Sequence, residues 1–226
     1  MTERSPLSGV LLLLWGTVVA LDLVSVPQAM ISRPFVAGTV AGWLAGDMEA
    51  GLRVGVLLEL FALDVLPIGA VRYPDYGPAT VAAAALAAGA PWEFGLGLSA
   101  ALALVLSVVG GWSLQVVRRS NARAIQHRAA ALAAGETAAI RRLQYGGLLR
   151  DAARGAALTA VGLGLAWLLA NHLRLDRPTA VGITLITVGS GLAAAVSGAI
   201  RSAGRGARLR WLAVGVATGM LLAVLR

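Results

Sequence analysis

Apolar positions recur along the whole 226-residue chain, in runs at Val10 to Leu21, Val81 to Ala90, Leu96 to Val109, Ala156 to Ala170, Ala180 to Ile200 and Trp211 to Leu225. A membrane-crossing helix needs roughly 20 mostly apolar residues. Some of these runs reach that length with their flanks, and several fall short of it. So many runs with so little polar material between them predict an all-α, polytopic transmembrane protein rather than a soluble bundle of buried helices. The N-terminal stretch, Arg4 followed by apolar residues, imitates a secretory signal. It has no small-residue cleavage site before Asp22, so it reads as a retained span.

The runs are interrupted unevenly. In the first 93 residues they are cut by Pro27, Pro34, Gly46, Pro67, Pro74, Pro78 and Pro91. The segments 35–46 and 52–66 are half of a span or a little more. Short apolar segments interrupted by Gly and Pro predict broken or re-entrant helices. Membranes tolerate these where they line a cavity, because freed backbone groups must find partners. In transporters the substrate site lies at such breaks.

Charge changes the picture in the second half. Residues 1–93 hold four Arg and eight acids, whereas residues 94–226 hold fifteen Arg and three acids. The Arg residues flank apolar spans, which argues for membrane topology and against nucleic acid. One cluster runs from Arg118 to Arg154; another contains Arg201, Arg205, Arg208 and Arg210. The apolar segments 155–171 and 179–200 separate them. Two crossings return the chain to one side, so both clusters are expected to be cytoplasmic and the loop 171–178 outside. Residues 118–154 are too polar to span and are expected to form a helix or helical hairpin, broken near Gly135 and Gly146–Gly147, resting on anionic lipid or docking a partner. Three regions follow: 1–117, a membrane region with broken helices and the substrate site; 118–154, a basic cytoplasmic segment; and 155–226, C-terminal membrane helices.

Candidate chemistry is sparse. Cysteine is absent, and the two histidines, His127 and His172, are far apart without metal-ligand neighbours. No motif for a zinc protease, nucleophile elbow, P-loop or dinucleotide fold occurs, so no catalytic residue, metal or cofactor is expected. An intramembrane enzyme using Asp22 and Glu59 as a carboxylate pair would lack any motif. Glu59 sits inside the apolar run 54–63. A carboxylate there costs about 2.5–3.5 kcal/mol on insertion scales unless it faces protein or water, so it marks a functional site or an ion pair with Arg33, Arg53 or Arg72. Asp22 stands either at a span end or on a pathway where Pro27 breaks the helix. The Gln28 amide both donates and accepts, as sugar hydroxyls require. Arg33 precedes Pro34 and is expected to be extended, with its donors serving sugar oxygens, a phosphate or Glu59. Asp47 and Glu49 read as turn carboxylates between two half-helices. Asp75 either caps the segment from Pro78 or reaches the cavity.

Residues 27–87 carry a Gln a few residues before Arg33–Pro34, the Gly46–Asp47 turn, a Gly-x-x-x-Glu segment ending at Glu59, Ile68–Gly69–Ala70 and then Pro74–Asp75. In that order they resemble the N-terminal region of the membrane-channel (IIC) subunits of mannose/fructose/sorbose sugar phosphotransferase systems. The resemblance implies a sugar-translocating, multi-pass inner-membrane subunit that forms an oligomer. It implies work with a second membrane subunit, IID, with cytoplasmic IIA, and with the IIB phosphocarrier that phosphorylates an arriving hexose. It also implies that Gln28, Arg33, Glu59, Asp75 and Asp22 fall in or near the sugar site. Pro67 and Ile68 stand where some members have a polar Asn, and Arg72 adds a charge. A IIC-like regulatory or assembly subunit that moves no sugar is the alternative.

Overall fold

The computed structural model describes residues 6–63, 65, 71–90 and 92–202, and beyond them 206, 210, 211, 214, 215, 217 and 218. Among these residues all regular structure is helical: α1 (Pro6–Asp22), α2 (Pro34–Ala45), α3 (Met48–Ala62), α4 (Tyr76–Ala87), α5 (Trp92–Gln126), α6 (Ala129–Ala133), α7 (Thr137–His172) and α8 (Arg177–Ser202). Among the described residues three helices are long and apolar enough to cross a membrane, within 95–126, 137–172 and 177–197. Most of the last apolar run, 211–225, lies outside the described residues, as do Arg205 and Arg208 of the second Arg cluster. So do Pro67 and Ile68.

The expected half-length pieces are present. At 1.5 Å per residue, α2 spans about 18 Å and α3 about 22 Å, against a hydrocarbon core of about 30 Å. Gly46, at φ 91°, ends α2, and its N–H returns to the carbonyls of Gly42 and Trp43. The turn carboxylates behave as read. Asp47 caps α3 by accepting from the Ala50 N–H at 2.9 Å, and Glu49 pairs with Arg53 one turn on. The hairpin then closes on glycine. Gly38 and Gly42 of α2 face Gly51 and Gly55 of α3. A Cβ added at Gly42 would lie 2.6 Å from the Cα of Gly51, and one at Gly38 would lie 2.7 Å from the carbonyl oxygen of Gly51. Two small-residue pairs at four-residue spacing therefore bring two backbones into contact, the device that membrane helices use where lipid offers no hydrophobic drive.

The apolar run 81–90 is the centre of the molecule. From Gly77 to Ala87 every residue of α4 is buried, as expected of a helix apolar on all sides. Its alanines admit close neighbours. α1, α2, α3, α5 and α7 all pack on it, and α8 packs on α3 and α5. α4 is thus a short helix enclosed by protein, and its length is not limited by the bilayer.

Residues 118–154 are distributed over three helices. α5 runs unbroken past Arg118 to Gln126, and α7 starts at Thr137 and runs unbroken past Arg154. The boundaries 117/118 and 154/155 therefore fall inside continuous helices. The break at Gly135 is real, with φ at 74°. Gly146 and Gly147 do not break α7. Each costs only about 1 kcal/mol relative to Ala, which a long helix absorbs. The Arg-rich ends of α5 and α7 lie side by side, joined where Arg150 Nε donates to Asn121 Oδ1 at 2.8 Å.

Candidate functional site

α1 stops at Asp22, and the chain doubles back over residues 23–33 before Pro34 starts α2. Gln28 and Met30 adopt left-handed backbone, φ 58° and 62°, a conformation that non-glycine residues hold only where the surroundings enforce it. Asp22 supplies that enforcement. Its carboxylate, 2% exposed, accepts from the Ala29 N–H at 2.6 Å and the Ser32 N–H at 2.8 Å. Both oxygens are spent on the loop. Asp22 is thus a span-end residue that also shapes the break.

Under this loop lies a cavity of about 570 Å³, within the usual range of ligand pockets, about 300–1,000 Å³. Asp22, Gln28, Ser32, Arg33, Tyr73 and Tyr76 provide its polar groups. Gln28 is exposed into it with its amide uncommitted to any described partner. Arg33 is the N-cap of α2, extended at φ −62°, ψ 133° as Pro34 demands. Its guanidinium pairs with Glu59, and Glu59 also accepts from the Phe35 N–H at 3.2 Å. Glu59 thereby satisfies one of the orphan donors at the start of α2. The pairing foreseen as one reading of Glu59 is the one observed. Glu59 itself stands behind Arg33, outside the cavity lining.

Asp75 stands at the start of the helix it was expected to cap, with its carboxylate engaged elsewhere. It occupies the N-cap position of α4 without a side-chain capping bond, and its carboxylate faces away from the cavity that Tyr73, Pro74 and Tyr76 line. Its Oδ2 accepts from Arg154 Nη1 at 2.6 Å, and Arg154 Nε reaches Asp151 Oδ1 at 2.9 Å. Ser25 Oγ completes the chain by donating to Asp151 Oδ2 at 2.6 Å. All three charged groups are buried. One guanidinium thus serves two carboxylates and ties together the 23–33 loop, the start of α4 and α7. The signal for this cluster was Asp151 and Arg154, one turn apart at the edge of the apolar run from 155, within the segment 118–154 read as basic and cytoplasmic.

The segment 71–75 is also clamped from α5. Arg118 donates to the Val71 carbonyl at 3.1 Å and to the Tyr73 hydroxyl at 2.8 Å. Arg72 lies 4.1 Å over the ring of Trp112, which accounts for the added charge. Tyr73, Tyr76 and Ser32 are the cavity residues that sequence reasoning missed. The aromatic–proline–aspartate stretch 73–76 was their only signal. No group of metal-ligating side chains occurs among the described residues.

A family model described as the PTS system sorbose-specific IIC component matches residues 6–200. The mannose-specific EIIC component of the phosphotransferase system of Escherichia coli (strain K12) is 33% identical over 97 residues, 43% of this chain. That alignment spans 35% of the relative's own length. Among solved structures, one described as a membrane protein aligns with TM-score 0.73 at 25% identity, over 99% of this chain and 96% of the other. A chain of the mannose transporter ManYZ in complex with microcin E492 aligns with TM-score 0.64 at 22% identity, again over 99% and 96%; at that identity it speaks for the fold.

Proposed function

The chain belongs to the sorbose-specific IIC family of phosphotransferase-system membrane components, and on that premise we propose that it is the sugar-translocating subunit of a mannose-type system in a bacterial inner membrane. The observation that carries the reading is the cavity between the left-handed loop 28–30 and the start of α2, at the kind of helix break where transporters hold substrates. Gln28 offers a donor and an acceptor to vicinal hydroxyls, and Arg33 offers a fork of donors to ring or hydroxyl oxygens. The rings of Tyr73 and Tyr76 add flat apolar faces. In this reading Gln28 and Arg33 touch the sugar. Asp22 and Glu59 act as positioning residues, holding the loop and the Arg33 guanidinium. Asp75 supports the wall from behind.

The subunit moves a hexose and performs no bond chemistry on it. Phosphorylation falls to a IIB-type carrier charged by IIA, and a IID-type membrane subunit completes the pathway as part of an oligomer. Membership of the family and the mannose-specific relative support these partners.

The test is sugar uptake and phosphorylation by the chain reconstituted with its IIA, IIB and IID counterparts, comparing Gln28→Ala with the native protein. Loss of one neutral hydrogen-bonding group is worth about 0.5–1.5 kcal/mol, so affinity should fall up to about tenfold while assembly is retained. A complex that assembles fully yet neither binds nor moves any hexose would favour the regulatory reading instead.

A further inference from the structure

A second cavity, of about 650 Å³, opens between the 24–26 strand of loop, the second half of α5 and the first half of α7. It shares no residue with the cavity under the 28–30 loop. Its walls are apolar at Leu114, Val117 and Leu148, and its polar end carries Arg118, Arg150 and Asn121. Both guanidinium groups are half-buried. Arg150 spends one donor on Asn121 and Arg118 two on the 71–73 segment, so each keeps N–H groups for a further acceptor. Asp151 also borders the cavity, but its charge is taken up by Arg154 and Ser25.

The depth of the cavity matters as much as its lining. On α5, residues 94–117 carry no charge, about 36 Å of helix, close to the hydrocarbon thickness of about 30 Å. Arg118 is the first charge after that stretch. On α7, residues 155–171 are likewise uncharged, and Arg150 lies one turn before them. Both arginines therefore stand where the apolar length of their helices ends, at headgroup level on the Arg-rich side. That side faces the anionic leaflet by the charge rule, and basic pockets between helices at that level suit lipid headgroups.

We propose that this cavity binds one anionic phospholipid, its phosphate between Arg118 and Arg150 and an acyl chain along Leu114, Val117 and Leu148. A free phosphate would satisfy the arginines but leave the apolar wall uncovered, whereas a phospholipid satisfies both. The lipid bridges α5, α7 and the loop after α1, and two of these pieces, the loop and α7, are also joined by the Asp75–Arg154–Asp151 cluster.

Native mass spectrometry of the delipidated full-length chain tests this with phosphatidylglycerol, phosphatidylcholine and inorganic phosphate as probes. One equivalent of phosphatidylglycerol is expected to bind at least about tenfold more tightly than phosphatidylcholine, because a charge-assisted contact is lost with a masked headgroup. Arg150→Gln, alone or with Arg118→Gln, should erase that preference. Arg150 makes its bond to the Asn121 side chain, so its loss leaves the 71–73 segment clamped even where Arg118→Gln disturbs folding. Arg141→Gln with Arg142→Gln, on the exposed face of α7, should leave binding unchanged. Equal affinity for the two lipids, equal loss in the Arg141/Arg142 control, or inorganic phosphate displacing phosphatidylglycerol in proportion to its concentration would each overturn the proposal.

Discussion

At the scale of single residues, the buried and half-buried carboxylates among the described residues are each answered by a cation or by backbone N–H groups. Glu59 shows what that means for function. A carboxylate in an apolar run invites assignment to substrate, yet its partners are Arg33 and the start of α2. If it acts only through Arg33, the two positions are coupled. Glu59→Gln should weaken sugar binding several-fold in the native background and have almost no effect once Arg33 is already Gln. A double-mutant cycle on sugar affinity measures this; equal effects in both backgrounds would place Glu59 in direct contact with sugar. The Asp75–Arg154–Asp151 cluster calls for a different experiment. Arg154→Met strands two buried carboxylates, and breaking a buried pair in this way costs about 3–5 kcal/mol. Yield of monodisperse protein after detergent extraction should collapse. Neutralising both acids in the same chain, Asp75→Asn with Asp151→Asn, should recover much of it. A single variant that extracts normally would show that the cluster contributes little to the fold.

At the scale of elements, the α2–α3 hairpin and the two long helices behave oppositely. The hairpin is short and owes its closeness to glycine. Gly42→Ala puts a Cβ 2.6 Å from the Gly51 Cα and from the Asp47 carbonyl oxygen. Backbone atoms cannot swing aside, so the hairpin must open. The expected cost is that of overpacking, about 1–3 kcal/mol, seen as a lower midpoint in a detergent melt. Gly182→Ala in α8, where an added Cβ meets nothing within 4 Å, should melt like the native chain or slightly higher. α5 and α7 draw their stability from length and continuous packing, which is why Gly146 and Gly147 pass unnoticed within α7.

At the scale of the whole molecule, topology and core have separate origins. The Arg-rich ends of α5 and α7 project together on one side, and the α7–α8 connection at 173–176 lies on the other. The chain has no cysteine, so single-cysteine variants report without background. Arg174→Cys should react with a membrane-impermeant thiol reagent on intact cells, and Ser120→Cys only after permeabilisation. The reverse pattern would invert the protein in the membrane. Much of this was legible in order along the chain. The apolar runs, the breaks at Pro34 and Gly46, the extended backbone of Arg33 and the cap at Asp47 depend on covalent geometry and local composition, which a sequence states directly. So does the ordered set of motifs from Gln28 to Asp75 that marks the family. Three things were decided only by the fold. α4 is enclosed by five helices because its alanines let neighbours approach, and an apolar run alone does not say whether lipid or protein will cover it. Asp75 turned from the cavity to Arg154, 79 residues away in the chain, because a buried carboxylate must meet whichever cation the packing delivers. The cavity itself arose where Asp22 drew the N–H groups of Ala29 and Ser32 onto one carboxylate. Hydrogen bonds of that kind are chosen among all groups brought within reach, and reach is a property of the assembled helices.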